Sequence, residues 1–155
     1  MPSRRDQIKM SDEEVRGFLD EQMIVSVATV GPGGRPHLVS LWYVPDGTVL
    51  RGWTYAKSQK AKNLERDPRA TLLVDAGVQY QDLRGVMLEC DVGLRRDTED
   101  VERFGLALFS RYGGGSEPSE EVRQMVAAQA PKRVALTFRP TRVVTWDHRK
   151  LGGAY

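Results

Sequence analysis

The chain has 155 residues, 40% hydrophobic and 28% charged, with a formal net charge of +2 and a single cysteine, Cys90. That length supports one domain with a real core and needs no staples, while the lone thiol excludes an internal disulfide and any multi-cysteine zinc site. The basic residues are dispersed rather than gathered into an arm, which disfavours a nucleic-acid partner, and no apolar run reaches the roughly 18 residues of a membrane span. The charged start Met1-Pro-Ser-Arg-Arg-Asp6 lacks an apolar signal region, so a cytoplasmic location is expected.

Ser11-Asp-Glu-Glu14 is a capping box, and Val15, Phe18 and Leu19 follow at helical spacing, so a short amphipathic helix should open the fold and cover one end of the core. Met23 to Val30 is dense in β-branched residues, Gly31-Pro-Gly-Gly34 is a turn, and Pro36 to Val44 is again strand-like, which reads as a hairpin. A second turn at Pro45-Asp-Gly47 leads into Thr48 to Thr54, giving three consecutive antiparallel strands.

A short helix follows, with Ser58 as its N-cap and Pro68 as its stop. Its charges are at the wrong ends. Lys57, Lys60 and Lys62 crowd the partly positive N-terminus, and Glu65 and Asp67 sit near the partly negative C-terminus. Free backbone amides, a capping hydroxyl and several ammonium groups at one helix start suit a phosphate monoester. An ordinary solvated helix, with Glu65 paired to Arg69 four residues on, is the competing reading.

Ala70 to Val74 and Leu83 to Leu94 read as the next strands, with Gly85 and Gly93 as bends or bulges in the second. Thr98 to Tyr112 has helical spacing and starts beside Asp97, Gly113-Gly-Gly-Ser-Glu-Pro118 breaks it as a mobile loop, and Ser119 to Ala130 is a further helix. Arg133 to Arg139 and Thr141 to Asp147 close the chain as two strands around Pro140. Six or seven strands joined mostly by short hairpins, with helices inserted, predict a mainly β, antiparallel barrel with flanking helices; a doubly wound sheet would need a regular alternation that the first 54 residues lack.

Hydrolytic chemistry finds little support. There are two histidines, His37 and His148, no Gly-x-Ser-x-Gly elbow, no metal-ligand spacing, and Cys90 lies in a strand-like run where a buried, inert thiol is expected. The strand Arg35 to Tyr43 is more suggestive. Alternation places His37, Val39, Leu41 and Tyr43 on one face and Leu38, Ser40 and Trp42 on the other, a mixture that suits a flat heteroaromatic ligand. Trp53-Thr54 and Trp146-Asp-His-Arg-Lys150 add aromatic and polar groups that could frame it.

In order and spacing these segments resemble the pyridoxamine 5'-phosphate oxidase-like split-barrel family, in its flavin and deazaflavin oxidoreductase branch. Gly34 to Tyr43 is similar to that family's second strand, Trp53-Thr54 with Lys57 to Arg69 resembles its phosphate-binding helix, and Trp146 to Leu151 is similar to the tail of its deazaflavin-type members. The resemblance implies a split β-barrel and a homodimer with two sites at the subunit interface. It implies a ring system against His37, Leu38, Val39, Ser40 and Leu41, and a phosphate held around Thr54, Lys57, Ser58, Gln59 and Lys60, with Trp53 and Asn63 also binding the cofactor. Trp146 and His148 would approach the ring, from the partner chain or the same one. Two positions depart from the oxidase pattern: Gln59 stands where arginine is usual, and Gly85 where a glutamine reaches the flavin. Both favour coenzyme F420 over FMN, and hence an F420-dependent reductase first, an FMN oxidoreductase second, and a non-catalytic flavin or haem carrier third.

Overall fold

The computed structural model describes residues 1–154. A short helix that the sequence reading did not anticipate, α1 (Arg4–Gln7), is closed by a reciprocal Ser3–Asp6 capping box. The second, α2 (Asp12–Glu21), carries the predicted Ser11–Glu14 box and buries Val15, Phe18 and Leu19 in the main core. Seven strands follow: β1 (Val25–Val30), β2 (Pro36–Leu41), β3 (Val44–Asp46), β4 (Val49–Tyr55), β5 (Arg69–Ala76), β6 (Arg84–Arg95) and β7 (Arg133–Asp147). They form one antiparallel sheet in the order β2-β1-β5-β6-β7-β4-β3, curled around the core as a split barrel. Helix α3 (Gln59–Arg66) lies between β4 and β5, and α4 (Thr98–Tyr112) and α5 (Glu120–Gln129) between β6 and β7. Among the described residues no helix is long and apolar enough to cross a membrane.

Three local expectations give way. The first three strands are not mutual neighbours: β2 and β3 occupy opposite edges of the sheet, and the chain crosses between them at Trp42 and Tyr43. Tyr43 is completely buried, its hydroxyl 2.7 Å from the carbonyl oxygens of Leu19 and Gln22, while Trp42 stacks on Tyr112 with ring centroids 4.1 Å apart. Those anchors end β2 early and turn Pro45 and Asp46 into strand, so the reversal falls at Gly47, whose φ of 62° only glycine adopts easily. The closing strands are one. β7 runs through Pro140, which stands opposite Cys90, and the register slips between Glu89 and Cys90 to absorb the missing amide.

Gly85 and Gly93 are therefore not the bends. Gly85 stands opposite Trp146, and a Cβ at Gly85 would fall 2.2 Å from the Trp146 ring, so its bareness is the seat of that indole. Glu65 pairs with Arg96 rather than Arg69, and Arg69 instead binds Asp67 at 2.7 Å. The loop after α4 is pinned: Ser110 donates to the Ser116 carbonyl and accepts, through its own carbonyl, from the Gly115 amide.

Candidate functional site

The helix start reads as the sequence suggests, with one lysine far more committed than the others. Ser58 caps α3 by accepting from the Ala61 amide, which leaves the amides of Gln59 and Lys60 without acceptors among the described residues. Lys57 and Lys62 are exposed, whereas Lys60 is only 7% exposed and its Nζ donates to the Thr54 hydroxyl at 2.8 Å. Thr54 Oγ1 in turn lies 3.5 Å from Ser58 Oγ. Among the described residues no carboxylate lies within salt-bridge distance of Lys60, and burial, with the nearby Arg133, pushes its ammonium below the usual lysine range. A buried cation with no counter-ion is costly on its own.

Arg133 is the functional candidate that sequence reasoning missed. Strand β7 places it opposite Tyr55, with its guanidinium 4.4 Å above the Trp53 ring centroid and 3.9 Å from that of Tyr55. Only the pairing of β4 with β7 brings it there, and nothing local in the sequence announces that pairing. Trp53 itself packs onto bare Gly105 of α4, where a Cβ would come within 2.4 Å of its ring. Two cations thus converge on the end of β4, held by aromatic faces and hydroxyls rather than by acids.

The rest of α3 ties this cradle to β2. Gln59 donates to Asn63 Oδ1 at 2.8 Å, Asn63 donates to the Thr29 hydroxyl at 3.0 Å, and Thr29 stands opposite His37 across the β1–β2 pair. Gln59 and Asn63 are therefore positioned along the helix and do not reach toward Lys60. On β2 the predicted alternation holds: His37, Val39 and Leu41 are half-buried, Leu38 and Ser40 exposed. His37 Nδ1 is buried and has no hydrogen-bond partner among the described residues, so the half-barrel holds an unsatisfied polar atom there.

The two tail residues lie elsewhere. Trp146 and His148 are at the far end of β7 from Arg133, about 40 Å away along the strand at its usual rise. There His148 Nδ1 donates to the Tyr80 carbonyl at 2.9 Å, and the ring meets that of Tyr80 edge-on. One chain brings His37, Thr54, Ser58, Lys60 and Arg133 around α3, and does not bring Trp146 or His148 to them. Cys90, expected to be inert, is buried, and burial raises its thiol to about 12.

Residues 11–147 match the family model described as pyridoxamine 5'-phosphate oxidase. The chain belongs to that family. Solved structures extend the likeness over nearly its whole length: the conserved hypothetical protein Rv2991 of Mycobacterium tuberculosis is 39% identical, with a TM-score of 0.88 over 99% of this chain and 95% of that one. A protein described as an F420 reductase is 27% identical, with a TM-score of 0.64, covering 83% of this chain and 94% of its own. The haem storage protein HutZ of Vibrio cholerae, 18% identical with a TM-score of 0.67 over 86% of this chain and 93% of that one, shares the fold. Membership in the pyridoxamine 5'-phosphate oxidase family supports a flavin-type cofactor.

Proposed function

We propose that the protein is an F420-dependent oxidoreductase that reduces an unsaturated or oxidised small organic molecule. In this reading it is a homodimer with two equivalent interface sites. The observation that carries the proposal is Lys60, nine-tenths buried, held by the Thr54 hydroxyl and without a carboxylate among the described residues. A phosphate monoester supplies the missing negative charge, and the Gln59 and Lys60 amides and the Ser58 hydroxyl supply its further hydrogen bonds. Likeness to an F420 reductase supports the deazaflavin. So do the two departures from the oxidase pattern, each of which now has a physical cause: Gln59 is spent on Asn63, and no side chain fits at Gly85 beneath Trp146.

When bound, a reduced deazaflavin supplies a two-electron hydride donor. The chain's own residues bind and orient. Lys60, Thr54 and Ser58 fix the phosphate end, and Arg133, pinned over Trp53 and Tyr55, adds positive potential there without closing on it. The strand from His37 to Leu41, at the edge of the sheet, flanks the ring. Trp146 and His148 reach the other subunit's site, since their own lies at the far end of β7.

Titration of the tryptophan fluorescence with F420 and with FMN tests this on the wild type and on Lys60→Met, which keeps the apolar stem. F420 should bind more tightly than FMN, and the variant should lose about 1.5–3 kcal/mol for the preferred cofactor, the worth of a hydrogen bond to a charged group. Equal affinity in a folded Lys60→Met variant would remove the cradle from the site, and tighter FMN binding would reverse the order of cofactors.

A further inference from the structure

A second basic site lies on the opposite face of the sheet. A cavity of about 390 Å³ is lined by Val44, Arg51, Arg95, Arg103, Phe104, Ala107, Thr137 and Arg139. Its floor is one row across four strands: Val44 of β3 opposite Arg51 of β4, Arg51 opposite Thr137 of β7, and Thr137 opposite Gly93 of β6. Arg95 and Arg139 stand two residues beyond Gly93 and Thr137 on the same face, and α4 roofs the row with Arg103, Phe104 and Ala107. The Arg139 guanidinium lies over bare Gly93, its Nη1 3.3 Å from where a Cβ would stand.

The charges do not balance. Asp46 holds Arg51 at 3.1 Å, and Asp100 alone holds both Arg95 at 3.2 Å and Arg103 at 2.6 Å. Arg139 has no ion-pair partner among the described residues, although Asp91 stands opposite it across the β6–β7 pair, so two carboxylates hold three of the four guanidiniums and the fourth is unpaired. At the bottom Thr137 is only 7% exposed, yet its hydroxyl makes no hydrogen bond among the described residues. A mostly buried threonine whose unpartnered hydroxyl still meets solvent in the cavity, under converging guanidiniums, is an arrangement that an anion completes. Bulk phosphate would use the charges alone. The apolar wall of Val44, Phe104 and Ala107 also asks for a carbon skeleton, and a cavity of this size accommodates a small metabolite.

We propose that this cavity binds a small organic anion bearing two or more carboxylates, at a site separate from the cofactor cradle. Guanidinium forks take the planar carboxylates, Thr137 donates to one carboxylate oxygen from the floor, and Phe104 covers the carbon chain. Along β4, Thr54, which holds Lys60, faces the core, while Arg51 faces α4; Arg133 and Trp53 share the α4 face but lie toward the other end of the strand pair from Arg139.

Titration calorimetry with citrate as the probe tests the assignment, using the full chain and the variants Thr137→Val, Arg139→Gln and Lys60→Met. Thr137→Val keeps the shape of the side chain, and Arg139 is exposed, so both should fold as the wild type does. The wild type should bind one citrate per chain, each of the first two variants should bind about tenfold more weakly, and Lys60→Met should bind as the wild type. Inorganic phosphate binding as tightly as citrate would overturn the carboxylate class. Citrate binding that is unsaturable, or lost in Lys60→Met while unaffected by Thr137→Val and Arg139→Gln, would overturn the site. Cofactor titration of the same variants keeps the two sites distinguishable, since failure of either reading leaves the other's signal intact.

Discussion

Lys60 is where burial and charge meet at a single side chain. Its ammonium is buried beside Arg133, and both effects disfavour the charged form in the folded protein. The unfolded chain, with lysine at its ordinary 10.5, then binds more protons than the native state at pH values between the two, and stability rises as pH climbs through that window. Denaturant unfolding at a series of alkaline pH values should show this rise in the wild type and a flatter profile in Lys60→Met. A parallel pair of profiles would mean that the folded lysine pays no desolvation cost. Addition of a phosphate-bearing cofactor should flatten the wild-type profile in the same way, because the anion restores the charged form and the complex takes up the proton. The sequence showed that some lysine at this helix start was misplaced; which one was buried depended on Thr54 and Arg133, brought together by strand pairing.

Elements with local signals were legible, and those that depend on a distant partner were not. Ser11 and Ser58 cap the helices they were expected to cap, because capping is decided within four residues. The bareness of Gly85 and Gly105 has its cause in Trp146 and Trp53, each on another element, so it could only be misread as bending or passed over. The same limit hid a latch between α4 and α2. Arg111, one residue from the end of α4, donates to the carbonyls of Gln22 at 2.7 Å, Asp20 at 3.1 Å and Leu19 at 3.4 Å, closing the C-terminus of α2. It also donates to the Tyr43 carbonyl at 2.7 Å and lies 4.7 Å over the Tyr43 ring, whose burial raises its phenol to about 12. A cation at a helix C-terminus with several charge-assisted bonds is worth about 2–3 kcal/mol. Arg111→Ala should lower the melting temperature by about 5–10 °C in calorimetry, and Arg111→Lys should recover less than half of the loss, since one ammonium cannot span that arc of carbonyls. Full recovery by lysine would show that charge, rather than the fork, makes the latch.

At the scale of the molecule, the proposed homodimer would have each chain contribute to two sites. The chain leaves the Thr54–Lys60 cradle, returns to it with Arg133, and then runs the length of β7 to Trp146. Lys60 and Trp146 therefore belong to opposite ends of one protomer, and in the homodimer proposed above each completes its partner's site. That arrangement predicts complementation. Lys60→Met and Trp146→Ala should each weaken cofactor binding as pure dimers. When the two variants are unfolded, mixed in equal amounts and refolded together, half of the dimers should be mixed. Each mixed dimer carries one site with both substitutions and one with neither, so roughly a quarter of all sites should regain wild-type affinity. If Lys60 and Trp146 served the same site within one chain, every site in the mixture would still carry one substitution and no tight-binding fraction would appear. The same titration decides between them, since the regained fraction is read as an early, saturable phase in the tryptophan quenching.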